Sequence, residues 1–207
     1  MELSEEIRRI SLKSDRLKND RALLVGISGI DASGKGFVTA GLAEDLVNRG
    51  RRPAAINIDG WLNLPHIRFS QTDPAENFYE RALRLEETFE RLILPLKRDR
   101  SVRLVADFAE ETATSFRKHE YVYNDVDIIL LEGIFLFKKQ FVDYFDLRIW
   151  IECSFETAME RAVARSQEGL ERKETIEAYE TIYFPAQRIH FDLDQPQDAA
   201  DLTLSNN

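Results

Sequence analysis

Residues 26 to 37 read GISGIDASGKGF, and most of that run fits the phosphate-cradling pattern Gly-x-x-x-x-Gly-Lys-[Ser/Thr], with Gly29, Gly34 and Lys35 in register. An apolar run, ALLVGI, leads into it, and a helical pattern opens near Lys35. In that strand–turn–helix context, the backbone N–H groups of Asp31, Ala32, Ser33, Gly34, Lys35, Gly36 and Phe37 point inward at a β-phosphate, at the positive end of the helix dipole. Lys35 then lies across the β- and γ-phosphates of a nucleoside triphosphate. The last position departs from the pattern: Gly36 stands where a Ser or Thr hydroxyl reaches Mg2+, and Phe37 has no hydroxyl to offer. The other reading of the run is a glycine-rich turn with an incidental lysine.

Mg2+ prefers oxygen ligands and keeps several waters, so carboxylates gripping those waters can replace a missing hydroxyl. Two acids fit that metal role. Asp59 follows AAINI and Glu132 follows DIILL, each at the exit of an expected strand. Glu132 is read as a metal-shell residue that orients a water. Asp59 is also placed to accept a hydroxyl proton, the base role in phosphoryl transfer. Either acid alone reads equally well as a helix cap or turn residue. Arg161 and Arg165, four apart on one helical face, are candidates to stabilise charge on the transferring phosphoryl group. A solvated face paired with Glu160, Glu168 and Glu171 is their alternative. In RSQEGLERK, Gly169 marks a candidate flap carrying Arg172 and Lys173.

The elements that position these residues follow from periodicity. Ala22–Ile27, Ala54–Ile58, Asp127–Leu131 and Leu147–Ile151 read as buried strands, with Asp201–Leu204 as a short final one. Lys35–Asn48, Pro74–Leu94, Ser154–Ser166 and Glu174–Arg188 read as helices. Leu3, Ile7, Ile10 and Leu17 give an amphipathic N-terminal helix within residues 1–20. Strand–helix alternation predicts an α/β fold, a mainly parallel central sheet between two helical layers, with ligands bound beyond the carboxyl ends of the strands. The stretch from about 98 to 124 breaks the alternation and is read as an inserted β-hairpin lobe; an irregular connection is its alternative. His66, His119 and His190 are scattered without metal spacing and are expected at the surface, and Cys153 in the core.

With 207 residues, the chain suits a single domain spanning 1–207. Its 28 basic and 37 acidic residues give a net charge of −9, which argues against nucleic acid or an anionic membrane as a main partner. One cysteine excludes an intrachain disulfide and fits a reducing compartment. The start, MELSEEIRRISLK, lacks an apolar core of signal-peptide length, so a cytoplasmic location is expected.

In order, SGIDASGK, IDGW, LLEGIF and RAVAR resemble the uridine kinase and phosphoribulokinase group of P-loop kinases, which includes pantothenate and nicotinamide riboside kinases. The similarity runs from about Ala22 to Leu204. It implies a P-loop NTPase sandwich, Mg2+ with ATP or GTP as donor, and a hydroxyl of a small metabolite as acceptor, most plausibly a nucleoside. Asp59 sits where these kinases carry the substrate-activating aspartate, Glu132 at their strand-end glutamate, and Arg161 and Arg165 on their lid helix. DPAENF is similar to a segment near the sugar, and ADF to the Tyr-Asp-Phe of the substrate hairpin, which places Trp61, Asp107 and Glu111 in the acceptor pocket. Core packing explains Trp61 equally well. Members of the group assemble as dimers or tetramers, so a homo-oligomer is compatible with the resemblance. Three departures stand out: Gly36 for Ser or Thr, Ala106 for the hairpin tyrosine, and Glu111 for a histidine expected after Asp-Phe. DGWLNLP is similar to the pantothenate-kinase version of that strand end. A pantothenate-type small-alcohol kinase and a nucleotide-binding regulatory protein without transfer activity are therefore the alternatives to a nucleoside kinase.

Overall fold

Two segments, Leu23–Gly29 and Ile128–Gly133, are buried along their whole length, as strands covered on both faces must be. They are β1 and β5 of the computed structural model, which describes residues 4–17, 20–165 and 169–207. The remaining strands are β2 (Pro53–Asn57), β3 (Val102–Phe108), β4 (Arg117–Tyr123), β6 (Leu147–Glu152) and β7 (Leu202–Ser205). A single sheet runs β2-β5-β1-β6-β7, and every neighbouring pair in it is parallel. From the central β1 the chain reaches β2 and β5 on one side and β6 and β7 on the other. The loop after β1 therefore opens where the strand order reverses, the place where open α/β sheets take ligands.

Alternate residues of β1 feed two different cores. Leu23, Val25 and Ile27 pack with Ile10, Val38, Leu42 and Leu46 of the helices Ser4–Arg16 and Lys35–Asn48. Leu24 faces a larger, aromatic-rich cluster that includes Phe89, Phe135, Phe137, Trp150 and Tyr179. The five sheet strands begin and end within two residues of the expected ones, and the helix Lys35–Asn48 has the expected bounds. Within the N-terminal helix, Ser4–Arg16, Ile10 is fully buried as expected; Leu3 and the side chain of Ile7 lie outside the described residues.

The inserted lobe is a hairpin: β3 and β4 pair antiparallel from Val102↔Tyr123 to Phe108↔Arg117, apart from the main sheet. Its turn end is tied to the strand exit after β2, where the Ala109 N–H donates to Gly60 O at 3.4 Å. Two long helices expected from the sequence are divided instead. Pro74–Leu94 becomes Pro74–Arg81, Leu85–Thr88 and a wide π turn at Phe89–Ile93; a second π turn, Tyr179–Tyr183, interrupts the later helix. Each π turn is followed by a helical segment with proline in its first turn, Pro95 or Pro185. Proline has no N–H, and its ring crowds the carbonyl four residues back; widening one turn relieves that crowding without ending the helix. His190 departs from its expected surface place. It is fully buried, with Nδ1 2.7 Å from Asp194 Oδ2, which also accepts from the Tyr79 hydroxyl at 2.6 Å.

Asp146, at the entry to β6, joins the N-terminal region to the sheet. Its carboxylate accepts two bonds of 2.7 Å from Arg21 and one of 2.9 Å from the Leu24 N–H, with Lys97 at 3.3 Å. Although burial pushes its carboxyl up, these partners hold it below the usual carboxylate range. Asp146→Ala should destabilise the protein by about 2 to 3 kcal/mol at neutral pH in urea unfolding, through the loss of bonds to a charged, half-buried group. Because the folded carboxyl titrates low, the gap from wild type should be full above about pH 4 and close as pH falls further.

Candidate functional site

Glu132 is the fixed point of the site. In the sheet register it lies opposite Ile27 of β1 on one side and Asn57 of β2 on the other. That register brings the loop after β1 and the turn after β2 to the same edge. Residue 133 has to be glycine, because a Cβ there would sit 2.0 Å from Ile58 Cγ2. With that close approach, the Ile58–Gly60 turn packs against the tip of β5 and carries Asp59 beside Glu132. Asn57 fixes the turn by accepting the Asp59 N–H at 2.7 Å.

The loop itself bends through Gly34, whose φ of +88° favours glycine, just before the helix Lys35–Asn48 opens. It is braced from behind: Asn206 Nδ2 donates to Ser33 O at 2.7 Å, and Arg161 Nη1 donates to Asn206 O at 2.8 Å and reaches Ser33 O at 3.5 Å. In front, Asp31, Ala32, Gly34, Lys35, Gly36 and Phe37 line a cleft of about 420 Å³ together with Asp59, Glu132 and Arg165. Asn57, Leu62, Arg68, Phe69, Phe78, Glu111, Ile134, Leu170 and Tyr183 complete it. Lys35 Nζ donates to Ile30 O at 2.8 Å, so its ammonium lies along the loop at the cleft floor. Phe37 is 74% exposed at the rim.

The expected residues therefore divide. Asp31, Ala32, Gly34, Lys35, Gly36 and Phe37 converge on one cleft with Asp59, Glu132, Arg165 and Glu111, whereas the Ser33 side chain is fully buried and does not line it, and Gly29 lies at the end of β1 behind the loop. Arg161 does not line it with Arg165; it braces the back of the loop. Trp61 is fully buried, stacked on Tyr121 at 5.6 Å with the Arg84 guanidinium 5.2 Å from its ring, and so belongs to the core. Asp107 turns outward on the hairpin and pairs with Lys118 at 2.7 Å. Of the candidate flap, residues 166–168 lie outside the described residues; Arg172 and Lys173 are exposed at the start of the next helix. Arg68, Tyr183 and Gln187 were missed. The only sequence signal for Arg68 was its place shortly after IDGW, and none marked the other two.

Charge shapes the cleft. Burial pushes the Glu132 carboxyl up to about 7; Lys35 pulls it down in part, Asp59 pushes it further up, and Arg165 lowers it. Burial likewise raises Asp31, against the pull of Lys35 and a 3.0 Å bond from Gln187 Nε2. A Cβ on residue 36 would lie 3.6 Å from Glu132 Oε1, so the space of the missing hydroxyl abuts a carboxylate. Oxygen donors at that point fit a hard divalent cation. Among the described residues no group of three or more acids, histidines or cysteines is placed to hold a metal ion.

No protein-family model matches the sequence, and no curated protein matches it. Solved structures do. A possible uridine kinase from Bacillus stearothermophilus superposes with a TM-score of 0.71 at 22% identity, over 97% of this chain and 99% of the other. A candidate fructose transport system kinase from Silicibacter sp. TM1040 gives 0.69 at 20%, covering 94% and 98%. A D-glycerate 3-kinase from Cryptococcus neoformans var. grubii gives 0.61 at 12%, covering 96% and 89%. The chain has the α/β fold of P-loop NTPases, as these structures do. Among the described residues no helix is long and apolar enough to cross a membrane.

Since the folded state favours protonated Glu132, ionising it should cost the unliganded protein stability as pH rises from about 4.3 through about 7, on the order of 3 kcal/mol in all. Glu132→Gln should therefore raise the urea midpoint at about pH 8 and change it little at about pH 4. Equal effects at both would contradict the strained charge.

Proposed function

We propose that the protein is a Mg2+-dependent kinase that transfers the γ-phosphoryl group of ATP or GTP to a hydroxyl of a small metabolite, in the manner of the uridine kinase and phosphoribulokinase group. One observation carries the reading: Asp59 and Glu132 arrive from adjoining strand tips in the cleft that holds Lys35 and the phosphate loop. A turn of backbone amides with a lysine reads phosphate, and an acid beside it supplies what an attacking hydroxyl needs.

The loop amides from Asp31 to Phe37 bind the donor's phosphates, and Lys35 swings from Ile30 O onto the β- and γ-oxygens. Glu132 would hold the Mg2+ ion through its carboxylate or a bound water, beside Gly36. When bound there, such an ion would neutralise charge on the donor's phosphates. Asp59 orients the acceptor hydroxyl and takes its proton as the oxygen attacks. Arg165, at the helix end over the cleft, spreads charge from the transferring phosphoryl oxygens. Arg161 holds the loop in shape through Ser33 O and acts on catalysis only through it.

Two acceptor classes fit this frame. Nucleosides are supported by the neighbour described as a possible uridine kinase. Small alcohols of the pantothenate type are supported by DGWLNLP and by Trp61, which packs in the core and leaves the cleft without a tryptophan to stack on a base. A nucleotide-binding protein without transfer activity is the competing reading that Gly36 favours.

Mg2+-dependent turnover of ATP and GTP over nucleosides, pantothenate and polyols tests the reading. Lys35→Ala and Asp59→Asn should each cut kcat/KM about 100-fold or more, and Asp59→Asn should keep the nucleotide-induced rise in Tm. Nucleotide stabilisation with no acceptor turned over would favour the regulatory reading. No stabilisation at all would end both.

A further inference from the structure

Arg68 lines the cleft and is not among the residues assigned to the donor. It is 3% exposed, and its backbone carbonyl accepts Asn77 Nδ2 at 2.6 Å, so its position is fixed. One nitrogen, Nη2, donates to the Glu111 backbone carbonyl at 2.5 Å, and the guanidinium stands 5.0 Å from the Phe69 ring centroid. Its Nε is buried with no hydrogen-bond partner, and among the described residues no carboxylate lies within ion-pair distance of it. The charged and titratable groups around it are Tyr183, Glu111 and Asp59. Around Asp31 and Glu132, on the loop side, they are Lys35, Asp59 and Arg165. Asp59 is the group common to both sets, so it lies near both the phosphate loop and Arg68 in the shared cleft.

Resting on the kinase reading, we propose that Arg68 is a specificity residue for an acceptor alcohol bearing an anionic group, a carboxylate or a phosphate. The argument is one of desolvation. A buried guanidinium is normally paired, because its charge loses water without recompense. A neutral acceptor filling the cleft would expel the remaining water and leave Arg68 with one backbone carbonyl for five N–H donors. An anionic acceptor supplies two oxygens to the planar fork, the arrangement in which arginine binds carboxylate and phosphate best. The same contact fixes the acceptor's far end while its hydroxyl meets Asp59. Of the two acceptor classes, this selects the acidic small alcohols over nucleosides. The rival account makes Arg68 a structural strut that ties Phe69 to the connection at Glu111.

Matched ligands decide between the two. Each set contains a polyol, its aldonate and its terminal phosphate, with three to six carbons, at constant ionic strength on the whole chain. At least one aldonate or phosphate should raise Tm at a concentration roughly tenfold or more below that needed for its polyol, the separation expected of a charge-assisted contact. Whether the aldonate or the phosphate leads identifies the group. Arg68→Gln should erase the preference and Arg68→Lys keep part of it. The proposal is overturned if no acid outperforms its polyol in the wild type, or if the preference survives in folded Arg68→Gln. Should Arg68→Gln not fold, the wild-type series and Arg68→Lys still decide. Acid binding without phosphorylation would count against the kinase reading and leave this site standing.

Discussion

The site depends on the parallel register that sets Glu132 between Ile27 and Asn57. Backbone hydrogen bonds along β1, β5 and β2 fix three strand tips at one level, and each tip delivers one component: the phosphate loop, the buried acid and the Asp59 turn. A slip of one residue in β5 would turn Glu132 to the opposite face and replace it with a leucine or a glycine. β1 and β5 are buried along their whole length, so such a slip would also misplace every side chain packed on both of their faces. The geometry of the site is a by-product of core packing, with Ile58 seated so close to Gly133 that no side chain fits there.

That register also concentrates charge. Asp31, Asp59, Glu111 and Glu132 share the cleft with Lys35, Arg68 and Arg165, in surroundings dry enough to raise two of the carboxyls. A chain with a net charge of −9 thus gathers cations where phosphate would bind. The empty space at Gly36 belongs to the same balance. With Glu132 Oε1 close by, a side-chain hydroxyl is one of several ways to present oxygen there.

The frame was legible because it rests on local rules. The apolar runs around β1 and β5 and the glycine pattern from Gly29 to Lys35 announce a parallel sheet with a ligand at its switch point, and the break at 98 to 124 announces the hairpin. Asp59 and Glu132 were readable because strand exits are. Arg161 and Arg165 were not separable, since spacing of four puts both on one helical face but does not say which reaches past the helix end. Trp61 followed the same pattern: its chain neighbourhood is right, and its ring turns inward onto Tyr121. Arg68 and Tyr183 reach the cleft by tertiary packing, and Gln187 reaches Asp31 from behind it; Tyr183 and Gln187 come from the helical region that Pro185 reshapes with a wide turn. Nothing local encodes that.

Hydrogen exchange of the backbone amides, with and without nucleoside triphosphate and Mg2+, tests the central claim most directly. The account predicts that nucleotide slows exchange at Asp31 to Phe37, with a smaller effect at the Ile58–Gly60 turn. Protection confined to other parts of the chain, with the loop amides unchanged, would contradict it.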